Sequence, residues 1–159
     1  MKGKDKDIPD ILRFRKMLRD KGLKATPQRL AVHEAMRVLV HAGADEVAAQ
    51  VAAQGGTLVS PASVYNILST LADLGIYDRR CGQGVRQVFD VRADRHLHLY
   101  DTQNQNWRDL NDAELVSWFE AHFKGRRFRG YKIDGFEVLL LCHPTRKTAR
   151  GQMRRNKRK

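Results

Sequence analysis

Thiols are scarce in this chain. Its two cysteines, Cys81 and Cys142, stand far apart and no CxxC pair occurs anywhere, which excludes a disulfide framework and a zinc site built of thiolates. Both are read as inert thiols. No apolar run approaches the roughly 18 residues that span a bilayer. The N-terminal stretch MKGKDKDIPD also lacks the charged-then-apolar pattern of a secretory signal. The expectation is a cytoplasmic protein without a membrane partner. Acidic residues are also in short supply: 18 Asp and Glu against 30 Lys and Arg leave a net charge of +12, so a polyanion is the first partner to consider. Nucleic acid leads, ahead of an anionic lipid surface.

What is present supports one or two small domains with an ordinary core, since 42% of residues are hydrophobic. Much of the excess positive charge lies in the final TRKTARGQMRRNKRK, which has no acidic residue. Residues 145–159 are therefore expected to form a basic, disordered tail. The alternatives for it are a solvated, solubilising end and added non-specific phosphate contacts.

Four helices are expected before residue 76. Residues 10–21 place Ile11, Phe14, Met17 and Leu18 on one side and stop at Gly22. Thr26 caps a second helix with Pro27 at its first position, running to about Val40. A third starts near Asp45 and ends at Gly55-Gly56. Ser60 and Pro61 repeat the cap-and-proline device, and Val64, Ile67, Leu68, Leu71 and Leu74 form the buried stripe of the fourth. Its opposite face carries Ser63, Tyr65, Asn66, Ser69 and Thr70, small hydrogen-bonding groups suited to base edges rather than to bulk solvent. YDRRCGQGVRQVFDV then reads as two short strands around the Gly82–Gly84 turn, with Arg79, Arg80 and Arg86 on or near the hairpin. Three helices, a polar helix face and a basic hairpin in that order make a winged helix-turn-helix.

From residue 95 the periodicity changes. HLHLYD alternates, TQNQN supplies a turn and WRDL resumes as a partner strand. DAELVSWFEAHF is an amphipathic helix carrying Leu115, Val116, Trp118, Phe119 and Phe123, and GYKIDGFEVLLLCH reads as one final strand. The fold class is thus α+β: a winged-helix domain at 1–91, then a small α/β domain at 95–144. Such a unit leaves a sheet edge and an apolar face uncovered in a monomer, and dimerisation is the remedy.

Residues i and i+2 of a strand face the same way, so His96 and His98 project together while Leu97 and Leu99 turn to the other side. HxH occurs often by chance, and more ligands are needed to make it a metal site. Asp90 at the end of the wing, Asp109 on the partner strand and His41 at the close of the second helix are candidates. Three imidazoles and two carboxylates make an all-N/O shell suited to Fe(II) or Mn(II) rather than to tetrahedral structural zinc.

The runs LRDKGLKATPQRLAVHEAM, HAGADEV, VSPASVYNILSTLADLGI, RQVFDV and HLHLYD together resemble the ferric uptake regulator (Fur) family of metal-dependent bacterial repressors, over roughly residues 11–143. The resemblance implies that His41, Asp90, His96, His98 and Asp109 hold an inter-domain regulatory metal. It also implies that the recognition helix is 61–74 with Tyr65 its base-contacting tyrosine, that Arg29 in the T-x-x-R turn contacts the DNA backbone, and that Lys24 contacts phosphate. Aspartate at 109 is similar to the peroxide-sensing branch. The chain departs from the family where D101-TQN and PTRK at 144–147 replace the two usual cysteine pairs, so no cysteine-based structural zinc is expected. A further metal position is broken by Arg95, Leu97 and Phe136. These departures are similar to the iron response regulators and to a few cysteine-poor peroxide sensors; the former also respond to haem, although Leu97 stands where they often carry a third histidine.

The function expected is a homodimeric metal-responsive transcriptional regulator. It would bind a double-stranded, AT-rich inverted-repeat operator and sense Fe(II) or Mn(II), with peroxide or haem as further candidate signals. The alternative is a metal-independent winged-helix DNA-binding protein whose metal site is vestigial or structural. A metal-dependent hydrolase would need an open coordination position and a positioned acid or base. The candidate ligands use up the nearby titratable groups and no nucleophile motif is present, so the chain is not expected to be an enzyme. His33, His122 and His143 are read as surface or packing residues.

Overall fold

The computed structural model describes residues 8–81 and 87–145. The Gly82–Gly84 turn, Arg86 and the basic tail beyond residue 145 lie outside these. The chain divides into two compact units, Met1–Asp94 and Arg95–Lys159.

The first unit is built on four helices: α1 (Ile11–Asp20), α2 (Pro27–Leu39), α3 (Ala44–Gln54) and α4 (Pro61–Asp73). The two cap-and-proline starts behave alike. Thr26 Oγ1 accepts from the amide of Arg29 and Ser60 Oγ from that of Ser63, each satisfying a donor that the helix start leaves open. α3 begins one residue before the expected Asp45. There Gly43 is the cap, and its N–H donates back to Glu46 Oε2 at 2.8 Å. Phe14 and Leu18 of α1, Val32 and Met36 of α2, Val47 of α3, and Val64, Leu68 and Leu71 of α4 are all fully buried in one core. Each such side chain contributes about 1.5–3 kcal/mol when removed from water.

The wing has three strands rather than the two expected. β1 (His41–Ala42), β2 (Asp78–Cys81) and β3 (Gln87–Asp90) form an antiparallel sheet in the order β1-β3-β2. His41 therefore does not close α2; it is paired across from Asp90. Val40 makes the transition. It ends α2 at φ 65° and ψ −58°, a conformation unfavourable for a β-branched residue, and its carbonyl accepts from the Val91 amide at 3.1 Å.

The second unit holds β4 (Leu97–Asp101), β5 (Asn106–Leu110), α5 (Ala113–Phe123), β6 (Arg127–Phe128), β7 (Tyr131–Lys132) and β8 (Leu139–Cys142). The β4–β5 hairpin falls where expected, and β8 pairs parallel to β4 to give the order β5-β4-β8. The single final strand expected over 130–143 is instead two pieces. Arg129 and Gly130 both take positive φ, 49° and 87°, the two-residue turn that closes a separate β6–β7 hairpin, and β8 begins only at Leu139. Leu97 is the one buried hydrophobic side chain among the described residues of this unit. Trp118, Tyr131 and Leu141 are exposed by more than half. Cys142 is half-buried.

Candidate metal centre and nucleic-acid face

Two groups of His and Asp side chains that could hold a metal ion are built by strand register, one in each unit. In the first, the pairing of β1 with β3 sets His41 opposite Asp90, and His41 Nε2 lies 3.2 Å from Asp90 Oδ2. The other oxygen of Asp90 accepts from the Arg92 amide at 2.8 Å, which fixes the carboxylate plane. Asp90 is fully buried. In the second, β4 pairs with β5 so that His98 faces Asp109 directly. His96 lies one residue before β4 and on the same side as His98, with their rings 4.3 Å apart. His96 Nε2 is 3.5 Å from Asp109 Oδ1, and one donor atom from each of His96, His98 and Asp109 lies within 4.8 Å of the others. His98 also meets Trp107 edge-on at 5.8 Å, so a rigid wall backs the ring.

Bonds of about 2.0–2.2 Å to a metal place neighbouring donors about 3 Å apart. The 3.2 and 3.5 Å separations have that spacing, and the donors are all nitrogen or oxygen. The residues present fit a divalent first-row ion such as Fe(II), Mn(II) or Zn(II).

The remaining histidines take other places. His33 is a core residue, stacked on Phe14 at 3.8 Å with rings 7° from parallel. Its Nε2 lies 2.8 Å from the Pro9 carbonyl, which can only accept, so that nitrogen carries the proton. Nδ1 then accepts the Tyr77 hydroxyl at 2.8 Å. Burial pulls the His33 pKa down to about 4, outweighing the Pro9 hydrogen bond, and pushes the Tyr77 phenol well up. His122 stacks on Trp118 along α5, and His143 is exposed.

Where the family resemblance placed one of the missing cysteine pairs, the chain has a polar turn. Asp101 Oδ1 accepts from the amides of Gln103 and Asn104, and its Oδ2 from Asn104 Nδ2. The Asn104 side chain first, with these amides, holds the Asp101 carboxyl below its ordinary range. Thr102 then donates from both its amide and its hydroxyl to the Cys142 carbonyl, tying the turn to β8. At the other departure, Arg95 Nη1 lies 3.2 Å from Glu120 Oε1, and its guanidinium sits 4.9 Å above the Phe136 ring.

The residues expected at DNA lie on α4 and on the loop before α2. Lys24 is exposed. Arg29 folds back so that Nη1 donates to the Lys24 carbonyl at 2.7 Å, bracing the loop. On α4, Tyr65 and Asn66 are exposed, whereas the Ser63 hydroxyl accepts from Ser60 Oγ within the helix cap. Sequence reasoning missed Gln87 and Phe89, which contact Tyr65. The signal was available in RQVFDV, where Gln87 and Phe89 are two apart on a strand and share a face.

A winged-helix unit followed by an α/β unit with His/Asp clusters defines the class of metal-responsive transcription regulators. The sequence model of the Ferric uptake regulator family matches residues 20–134, and the chain belongs to that family. Solved structures with the same fold include the ferric uptake regulator from Pseudomonas aeruginosa with manganese, at 23% identity and TM-score 0.66, covering 83% of this chain and 98% of that one. The Vibrio cholerae ferric uptake regulator matches at 22% identity and TM-score 0.64, covering 82% and 99%. The Campylobacter jejuni peroxide stress regulator matches at 26% identity and TM-score 0.61, covering 87% and 99%. No curated protein matches the chain. Among the described residues, no helix is long and apolar enough to cross a membrane.

Proposed function

We propose that the chain acts as a homodimer that binds an AT-rich, two-fold symmetric DNA operator, and that Fe(II) or Mn(II) sets its affinity for that DNA. The ligands are His41 and Asp90 from the first unit with His96, His98 and Asp109 from the second. The observation that carries this reading is the approach of His96, His98 and Asp109 at the start and on the strands of the β4–β5 hairpin, together with the His41–Asp90 pair in the first unit. When bound, the ion supplies a fixed positive centre that favours carboxylates and neutral imidazoles as its neighbours. The first unit is the DNA-binding domain. Lys24 and Arg29 hold the backbone while Tyr65, Asn66 and Ser63 face the bases, a division in which phosphate contacts position and base contacts specify. The second unit is the dimerisation domain, whose exposed Trp118 and Leu141 a second copy would cover. Without thiolates at 101–104 or 144–147, it is proposed to fold without structural zinc.

Peroxide is favoured as an additional signal by Asp109 and by the likeness to the Campylobacter peroxide stress regulator. Haem is the weaker candidate, because Leu97 separates the two histidines. The test is fluorescence-anisotropy binding to an AT-rich inverted-repeat duplex at fixed salt, anaerobically, with EDTA, Fe(II) or Mn(II), for the natural chain and His96→Ala. Metal dependence that His96→Ala abolishes is expected. Equal binding with and without chelator would leave a metal-independent winged-helix protein. For the peroxide branch, Fe(II)-loaded protein is treated with peroxide. Unmodified His41 and His96 with DNA binding intact would refute it.

A further inference from the structure

We propose that Gln87, at the base of the wing, is a positioning residue that makes Tyr65 a hydrogen-bond acceptor toward DNA and so decides which bases it selects. The proposal rests on the DNA-binding reading of α4.

Tyr65 leaves α4 with 45% of its surface exposed and is gripped at two points by one strand. Its ring meets Phe89 edge-on, with centroids 6.1 Å apart and planes at 76°, and Phe89 is fully buried, so the ring rests on a fixed support. Its hydroxyl donates to Gln87 Oε1 at 3.1 Å. Gln87 and Phe89 share one face of β3, where Phe89 is paired with Ala42 of β1 and Arg79 of β2 and Gln87 with Cys81 of β2, so both supports are anchored in the sheet.

A phenol has one proton to donate and two lone pairs. Once the proton is committed to Gln87, the oxygen presents only acceptor character. The adjoining cavity, about 380 Å³, is lined by Tyr65 and Gln87 together with Asp45 and Glu46. In the major groove, adenine N6 and cytosine N4 offer amino donors, whereas guanine O6 and N7 and thymine O4 are acceptors. A tyrosine held in this way discriminates for the amino-bearing base edge. It also gains nothing from a phosphate, which only accepts. Tyr65 is therefore assigned to specificity and not to general affinity, and Gln87 acts through it.

The experiment uses the full chain loaded with Mn(II) and a pool of inverted-repeat duplexes randomised across both half-sites, with the bound fraction sequenced. The proteins compared are the natural chain, Gln87→Leu, Gln87→Glu, Tyr65→Phe and the Tyr65→Phe/Gln87→Leu pair, each first shown to unfold at the natural temperature. Gln87→Glu keeps the acceptor and so keeps the direction of the hydrogen bond. The natural chain and Gln87→Glu are expected to share one half-site position at which an amino-bearing edge is favoured about tenfold or more. Gln87→Leu and Tyr65→Phe should each lose that preference while the other positions stand, and the double variant should lose no more than either single one. Retention of the natural preference by Gln87→Leu would overturn the assignment, as would a preference lost in Tyr65→Phe but kept in Gln87→Leu. A natural chain that selects no sequence with Mn(II) would overturn the DNA-binding reading itself.

Discussion

His33 gives the sharpest stability prediction, because its environment assigns both its tautomer and its charge. The ring lies between Phe14 and the Tyr77 hydroxyl with Nε2–H directed at the Pro9 carbonyl, and the folded pKa is about 4 against an ordinary 6.5. A base whose folded pKa is depressed binds fewer protons in the native state than in the unfolded one, so stability is full above pH 6.5 and is lost as pH falls toward 4. The gap between those values corresponds to about 3 kcal/mol in all, of which about 2 kcal/mol is already lost by about pH 5. His33→Phe keeps a ring stacked on Phe14 but leaves the Tyr77 hydroxyl and the Pro9 carbonyl without this partner, costing about 2–4 kcal/mol near neutrality. It cannot titrate. The stability difference between the two proteins should therefore shrink by about 2 kcal/mol between about pH 7.5 and pH 5, with every other titrating group cancelling. The assay is urea unfolding in EDTA followed by far-UV circular dichroism. Both tryptophans, Trp107 and Trp118, lie in the second unit and do not report on His33. A difference independent of pH, or one that widens on acidification, would refute the assignment.

Three further outcomes follow from local geometry. Thr26→Ala and Ser60→Ala should each destabilise the first unit by about 1 kcal/mol through loss of the cap to the Arg29 and Ser63 amides, measured by the same urea titrations. Asp101→Ala should accelerate hydrogen exchange at the Gln103 and Asn104 amides, leaving α2 exchange unchanged. Because the Asp101 carboxyl is held below its ordinary 3.8, its contribution is present above that pH and is lost as pH falls through the lowered value. Leu141→Asp, on the exposed side of β8, should shift the chain from dimer to monomer in analytical ultracentrifugation without changing the first unit's thermal unfolding; a persistent dimer would exclude this strand from the interface.

The helices were readable because their signals are local. Thr26-Pro27 and Ser60-Pro61 announce a start within two residues, and the apolar spacing of 64–74 announces a buried face. β1 carries no such signal. It is two residues long, its pairing partner is far along the chain, and Val40 enters it through a conformation its own side chain disfavours, so only the folded wing makes it a strand. The last segment misled for the opposite reason. The apolar run at 138–142 dominates the pattern, while the turn at Arg129-Gly130 that separates the β6–β7 hairpin depends on positive φ at an arginine.

The candidate metal residues divide along the same line. His96 and His98 could be paired from their spacing alone, because two residues apart on an extended chain means one face. Asp109 could not be paired in this way. A cross-strand partner depends on register, and a slip of one residue would send it to the opposite side of the hairpin. In the folded chain the register is fixed by the four residues 102–105, with Gln105 at φ 51° and the Asp101 carboxylate gathering the Gln103 and Asn104 groups. That turn occupies the place where a cysteine pair was missing. The polar residues that read as a loss in the sequence thus close the hairpin in the register that sets Asp109 opposite His98.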